Sequence, residues 1–556
     1  MVRRVGIPKD IRPKEEQMSK GFFSRSEVVR SAFNIFLTFL NFKSARENGI
    51  LSLHLQMTTR LPHLLGRLAG APFRWLDDQF REKLHGDAHW MGSWERRSFL
   101  RAQNEGLVLA PHKRLSRSDS YTNVCLVAPT GSGKTSRYVI PNVLQVQGSV
   151  VVTDPSGEIF ARTSGHLQER GFDIQVLAPA DLTRSVRFNP LSYWQTPQEL
   201  RQLATTLGLN IAGRNSDPFW STSAINILGL CLSALSQVED RRVVNLGNLR
   251  WLLNHLGSAN ATGIHHFMAR YLEHENPQMF SEYLAFCAQD HRVMASILST
   301  ARAAVELWSD ADICRLTAEN TLDLNRLRKR PTAIYVIVPE HQVRYFGLLV
   351  NLFYSTCFAE CLKSSGPDDL PVSFFLDEFG NLGYVNNIAA IITTLRKRRC
   401  SISIILQELS QLDAIYGRDE ARTIFSGGCG NKLFFSGLDL ETTSYIERVL
   451  GNNTMYDTPF GGIDDRARTL AVPLMSADEI RMLKENDGIL ISGRRRPVKL
   501  RMPPFFSSPT LRKLTDKPAA SLPLSGAQDA LDFIGLHATI QPDTKLTSVL
   551  YAPSTL

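Results

Sequence analysis

An α/β fold is predicted: a parallel sheet covered by helices on both faces and interrupted by an all-helical insertion. Three observations predict it. Short apolar, β-branched runs alternate with helical stretches on either side of a long interval without strands. One run leads directly into a glycine-rich loop, and another ends in two adjacent acids.

The elements follow in order. Residues 1–84 open with a basic leader (Arg3, Arg4, Lys9, Arg12, Lys14, Lys20, Arg25 and Arg30) and then the apolar run Ala32 to Phe42, AFNIFLTFLNF. That run is too short to span a bilayer, which takes about 20 apolar residues, and Asn34 and Asn41 interrupt it. No small-residue cleavage site follows it. Two readings stay open for residues 28–42: a helix packed on another domain, or an interfacial helix whose basic flank meets anionic lipid. Residues 85–195 hold the first strands: YTNVCLVA, VVVTD ending at Asp154, and DIQVLAP ending at Pro179. Residues 196–328 show helical pieces, such as Ala224–Leu235 and Ser296–Trp308, and read as an inserted all-helical domain. The sheet resumes over 329–505 with AIYVIVP, VSFFLDE, SISIILQ, NKLFFSG and GILISG. Residues 506–556, rich in Pro, Ser and Thr, read as a loosely held tail. Strands that are apolar throughout are buried on both faces, as in parallel sheets, and such sheets bind ligands beyond their carboxyl ends.

Composition narrows the class. A hydrophobic fraction of 43% over 556 residues supports two or three domains with packed cores. The balance of 63 basic and 54 acidic residues, +9 overall, permits a polyanionic partner without requiring one. Eight cysteines are scattered with no CxxC, which fits a reduced, intracellular compartment, and Cys357 and Cys361 share a helical face. His85 and His89 have metal-like spacing, but with no carboxylate or cysteine read as a partner, no metal site is expected there.

The chemistry rests on three strand ends. Ala128 to Thr135, APTGSGKT, follows a strand directly. Binding phosphate there takes converging backbone N–H groups, so Thr130, Gly131, Ser132, Gly133, Lys134, Thr135 and Ser136 form the nucleotide-binding set. Lys134 reaches the β- and γ-phosphates of ATP, Thr135 is a ligand for Mg²⁺, and the helix that follows adds its positive end. Ala128 stands where the first glycine of such loops is usual. The run Phe374-Phe375-Leu376-Asp377-Glu378 supplies the other half: Asp377 for the metal, Glu378 to polarise the attacking water. Gln407 closes the next strand and is placed to sense the γ-phosphate, or is a plain loop glutamine. Between them, Arg396-Lys397-Arg398-Arg399 is either a helix end favoured by cations, or a set in which one arginine completes a neighbouring subunit's site and others line a nucleic-acid path. Together these read as a P-loop ATPase with a RecA-like motor core.

From about His85 to Phe506 the chain resembles the coupling proteins of type IV secretion and conjugation, the TraG/TraD-like ATPases. The landmarks are Gly86-Asp87-Ala88-His89-Trp90, Val151 to Glu158 (VVTDPSGE), Phe188-Asn189-Pro190-Leu191, and Asp217-Pro218-Phe219-Trp220. Asp377-Glu378-Phe379-Gly380, Gln407 through Gln411-Leu412, and Tyr416-Gly417 complete them. The resemblance implies a homo-hexameric ring on the cytoplasmic side of the inner membrane. It receives single-stranded DNA with a bound relaxase, or protein effectors, and passes them to the type IV secretion channel. It also implies that Arg396 reaches a neighbour's ATP site and that the helical domain meets substrates. Departures are Ser156 where the family usually has lysine, and neither of the two N-terminal membrane helices most members carry. A soluble or peripheral variant, or one with a separate membrane partner, is therefore expected. Two other readings are weighed against the motor: a nucleotide-gated receptor with little turnover, and an FtsK-like DNA translocase, for which no winged-helix domain is seen.

Overall fold

The computed structural model describes residues 85–210, 218–257, 262–273, 276–363, 366–457 and 468–522. The basic leader, the apolar run, Asp217 and the tail from 523 onward lie outside the described residues.

Thirteen strands are present among the described residues: β1 (Val108–Ala110), β2 (Lys113–Arg114), β3 (Val124–Val127), β4 (Ser149–Thr153), β5 (Asp173–Leu177), β6 (Thr332–Val336), β7 (Val372–Leu376), β8 (Cys400–Leu406), β9 (Asn431–Phe434), β10 (Asn452–Asp457), β11 (Arg468–Pro473), β12 (Asp487–Ser492) and β13 (Val498–Arg501). Nine form one sheet in the order β13-β12-β9-β3-β8-β7-β4-β6-β5. Strands β9 through β5 in that order run parallel, whereas β12 and β13 pair antiparallel. All eight strand runs expected from the sequence are in this sheet. The sequence reading missed β13, a short edge strand whose residues alternate buried and exposed, and the two-stranded ribbons β1–β2 and β10–β11.

The sheet separates two cores. Cys125 and Val127 of β3 face one, and Val124 and Leu126 face the other. The second core contains Tyr138, Val139, Ile140 and Val143 of the helical segment that follows the glycine-rich loop. The first is continuous with the helices between β5 and β6, which run from Pro197–Leu209 to Ala311–Leu316, so sheet and insertion share one apolar interior. A capping box of Thr196 and Glu199 starts the first of them. The chain enters and leaves the insertion side by side: Phe188 N–H donates to Leu316 O at 2.9 Å, and Thr321 N–H to Arg187 O at 3.1 Å.

Among the described residues two helices, Pro218–Ser236 and Glu340–Lys363, reach spanning length and apolarity; 50% and 72% of their apolar windows are buried within the fold. Cys357 and Cys361 are buried on the second, and all eight cysteines are free thiols.

Residues 506–522, expected to belong to a loosely held tail, pack on the fold. Phe505 is buried, a short helix spans Pro509–Thr515, Lys517 pairs with Glu169, and Ala520 N–H donates to Ser164 Oγ at 3.0 Å. Gly165 makes this approach feasible, since a Cβ there would lie 1.9 Å from Pro518 O. A Pro/Ser/Thr-rich composition hid a few apolar anchors, Phe505, Leu511 and Leu514, that hold the segment against the second core.

Candidate nucleotide-binding site

Three adjacent parallel strands, β3, β8 and β7, deliver the site's side chains at their carboxyl ends. The loop after β3 turns at Gly131 (φ 78°) and Gly133 (φ 76°), left-handed angles that favour glycine. Ser132 folds back on Pro129, its Oγ donating to the Pro129 carbonyl at 2.6 Å, and Ser136 Oγ donates to Gly133 O at 3.2 Å. Thr130 and Gly131 are exposed at the crest. Beneath the loop lies Arg137, a buried cation that sequence reasoning missed. Its guanidinium donates to the Glu485 carbonyl and pairs with Glu485 Oε1 at 3.2 Å, and it lies 5.5 Å from the Phe435 ring centroid.

Lys134 is 13% exposed and points at the end of β7, forming an ion pair with Glu378 Oε1 and lying 3.5 Å from Asp377 Oδ1. Thr135 Oγ1 is 3.5 Å from Asp377 Oδ2. Gln407 Nε2 donates to both carboxylate oxygens of Glu378, at 3.0 and 2.9 Å, and its own N–H donates to Gln411 Oε1 at 3.1 Å. Burial pushes the Asp377 carboxyl above its ordinary range, and the Lys134 ammonium opposes that shift. Glu378 itself has left-handed backbone (φ 54°, ψ 43°), a conformation that costs a non-glycine residue about 1–2 kcal/mol. Such strain persists where surrounding structure fixes it, and it clusters at sites of chemistry.

The predicted set Thr130 to Ser136, Asp377, Glu378 and Gln407 is thus brought together, and Arg396 is not. Arg396 is exposed in the turn Arg396–Arg398 before β8, whereas Gln407 follows β8. The seven residues of β8, at about 3.3 Å each, put the two at opposite ends of that strand, roughly 23 Å apart. Arg399 holds a nearby turn through the Pro367 carbonyl at 2.8 Å.

Asp154, from the VVTDPSGE run, is fully buried and accepts from Phe160 N–H, in the first turn of the helix Glu158–Glu169, at 2.7 Å. Burial outweighs these backbone donors and pushes its carboxyl up to about 6. Ser156 is exposed beside it, at the place where lysine was expected. Near His85 and His89 one premise of the reading is corrected, that no carboxylate stands by them. Asp87 stands between them and its carboxylate lies 3.6 Å from His89 Nδ1, while His85 Nε2 bonds Thr469 Oγ1 at 3.1 Å.

The donor set suits a magnesium–nucleotide complex: a glycine-turned loop of backbone donors, one hydroxyl and one buried carboxylate within reach of each other, and a lysine held among carboxylates. Residues 95–525 match the family model described as type IV secretory system conjugative DNA transfer. The chain belongs to that family. It is 26% identical over 472 residues to VirD4 of Agrobacterium fabrum, covering 79% of this chain and 68% of VirD4. It is 24% identical over 359 residues to the conjugal transfer protein TraG of Escherichia coli, covering 60% of this chain and 55% of TraG. Among solved structures, the conjugative coupling protein TrwB lacking its N-terminal segment, in complex with sulphate, aligns with TM-score 0.61 at 16% identity, over 76% of this chain and 95% of that one. TrwB has also been solved with ADP and Mg²⁺, aligning with TM-score 0.59 at 15% identity over 75% of this chain and 96% of that one. At such identity the likeness establishes a shared fold, a RecA-like sheet with a helical insertion.

Proposed function

We propose that this member of the conjugative DNA-transfer family is an ATP-hydrolysing coupling protein. In this reading it takes relaxase-bound single-stranded DNA or protein effectors and drives them into a type IV secretion channel. The observation that carries the ATPase reading is the convergence of Lys134, Asp377, Glu378 and Gln407 at the carboxyl ends of neighbouring strands. Lys134 exchanges its carboxylate partners for the β- and γ-phosphates. Thr135 and Asp377 would hold Mg²⁺, which when bound supplies positive charge to the phosphate oxygens. Glu378 polarises the attacking water, and Gln407 fixes both oxygens of that carboxylate.

Arg396, exposed and remote from its own chain's site, is free to act in a neighbour's site, and the homo-hexamer that this role needs is what the resemblance implies. We assign cargo contact to the helical insertion, residues 196–328, and place the ring at the cytoplasmic face of the inner membrane, as the resemblance implies. The test is ATPase rate against protein concentration, with and without single-stranded DNA, at moderate and high salt, for wild type and Lys134→Ala. A rate per subunit that rises with concentration and DNA, loses the DNA effect at high salt, and vanishes in the variant is expected. A flat rate indifferent to DNA would replace the motor with a nucleotide-gated receptor. Turnover retained in Lys134→Ala would remove the site.

A further inference from the structure

The loop that starts with Glu378 is held from behind by one helix, Ser410–Arg422, which the sequence marked by Gln411-Leu412 and Tyr416-Gly417 without assigning either pair a task. Tyr416 is 4% exposed. Its ring stacks on Phe379 with centroids 6.0 Å apart and planes 8° from parallel, and it packs on Tyr384 at 5.3 Å. Its hydroxyl oxygen accepts from Val385 N–H at 3.2 Å and faces the Gly383 carbonyl at 3.5 Å. One side chain therefore touches the loop at four places between 379 and 385. Gln411, a helical turn earlier, accepts from Gln407 N–H and leaves Gly380 little room: a Cβ there would lie 3.2 Å from Gln411 Cδ. Immediately after Tyr416 the helix breaks at Gly417 (φ 74°, ψ 162°), a backbone region nearly confined to glycine. That break accounts for the Tyr-Gly pair, since glycine lets the chain turn away once the ring is seated.

On the loop's other side, Gly383 (φ 74°) lies against the inserted helices, and a Cβ there would lie 3.0 Å from Asn210 Oδ1. The left-handed backbone of Glu378 is thus the first residue of a loop fixed by a helix behind it and touched by the insertion beside it.

We propose that Tyr416 is a positioning residue for ATP hydrolysis, holding the 379–385 loop so that the Glu378 carboxylate stays aimed between Lys134 and Gln407. The proposal rests on Glu378 being the carboxylate that acts on water. Tyr416 touches no reacting atom; it acts through the loop.

The test is Tyr416→Phe, which keeps the ring and removes only the hydroxyl, measured beside Glu378→Gln, the double variant, and Gly383→Ala. In Tyr416→Phe, kcat falls about three- to tenfold, as expected for losing one neutral buried hydrogen bond. KM for ATP and binding of a fluorescent ATP analogue stay at wild-type values, and the melting temperature falls by no more than the few degrees that one buried hydrogen bond supplies. Gly383→Ala, which moves the loop from its other side, gives the same split between kcat and KM. In the double variant the Tyr416 change adds nothing to Glu378→Gln, because it acts through that side chain. Wild-type kcat in Tyr416→Phe with an inactive Glu378→Gln would overturn this proposal alone. Full activity in Glu378→Gln would overturn the reading of the site as well. Loss of ATP-analogue binding together with a larger fall in melting temperature in Tyr416→Phe would make Tyr416 a residue of the fold, and would also overturn the proposal.

Discussion

Replacing Glu378 by glutamine should move nucleotide affinity and turnover in opposite directions. The wild-type carboxylate accepts from Gln407 Nε2 on both oxygens, at 3.0 and 2.9 Å, and pairs with Lys134, which also lies 3.5 Å from Asp377. Lys134 must leave these partners to reach phosphate. A charge-assisted hydrogen bond contributes about 1.5–3 kcal/mol, and the amide keeps the shape while losing the charge. Asp377 retains its hold on Lys134, so about half of that reaches nucleotide binding, equivalent to roughly three- to tenfold tighter ATP. Removing a positioned general base lowers kcat about 10²- to 10⁴-fold. Titration with a fluorescent ATP analogue gives the first number, and phosphate release at saturating ATP gives the second. Weaker binding would show that the Lys134–Glu378 pair does not compete with nucleotide. A kcat within tenfold of wild type would take the base assignment away from Glu378.

Three further outcomes are expected. Arg396→Ala should lose ATPase activity and regain part of it when mixed with subunits carrying Lys134→Ala, because each variant supplies what the other lacks; no recovery at any mixing ratio would refute action between subunits. Asp154 binds its proton more tightly when folded, near pH 6 against an ordinary 3.8, so the stability it contributes is full at low pH and is lost as pH rises through that window. Wild type should therefore lose about 1.5 kcal/mol relative to Asp154→Asn between pH 5 and pH 7.5 in denaturant unfolding, and parallel pH profiles would contradict the buried-acid reading. Ending the chain after Pro504 should lower the melting temperature by at least about 3 °C compared with ending it after Leu522, since Phe505 and Ala520 are buried. Equal melting temperatures would show that this packing contributes nothing.

How much was legible in the sequence depended on the kind of signal. Strands such as VVVTD and SISIILQ are buried from end to end, so their apolarity stands out without context. The glycine-rich loop and the Asp377-Glu378 pair announce themselves because phosphate and metal binding need those residue types in fixed order. Strand order is another matter: that β8 lies between β3 and β7, bringing Gln407 to Glu378, follows from contacts far apart in the chain. Strand β13 alternates buried and exposed like many loops, and the antiparallel edge it completes carries no motif. Tyr416 stood among the landmarks, yet nothing local shows that its ring meets Phe379, thirty-seven positions earlier. Nothing local marks Arg137 as buried, because Glu485 and Phe435, which surround it, lie far along the chain.

The paired crossing of the chain between β5 and β6 bears on how the molecule could do work. Where two strands of backbone pass side by side, bonded to one another, and the helices beyond them share their interior with the sheet, there is no slack link between them. A pull on those helices is carried into the sheet as torque and not absorbed by a swinging joint. In the motor proposed above, the helices of the insertion and the catalytic strand ends would therefore move as one body.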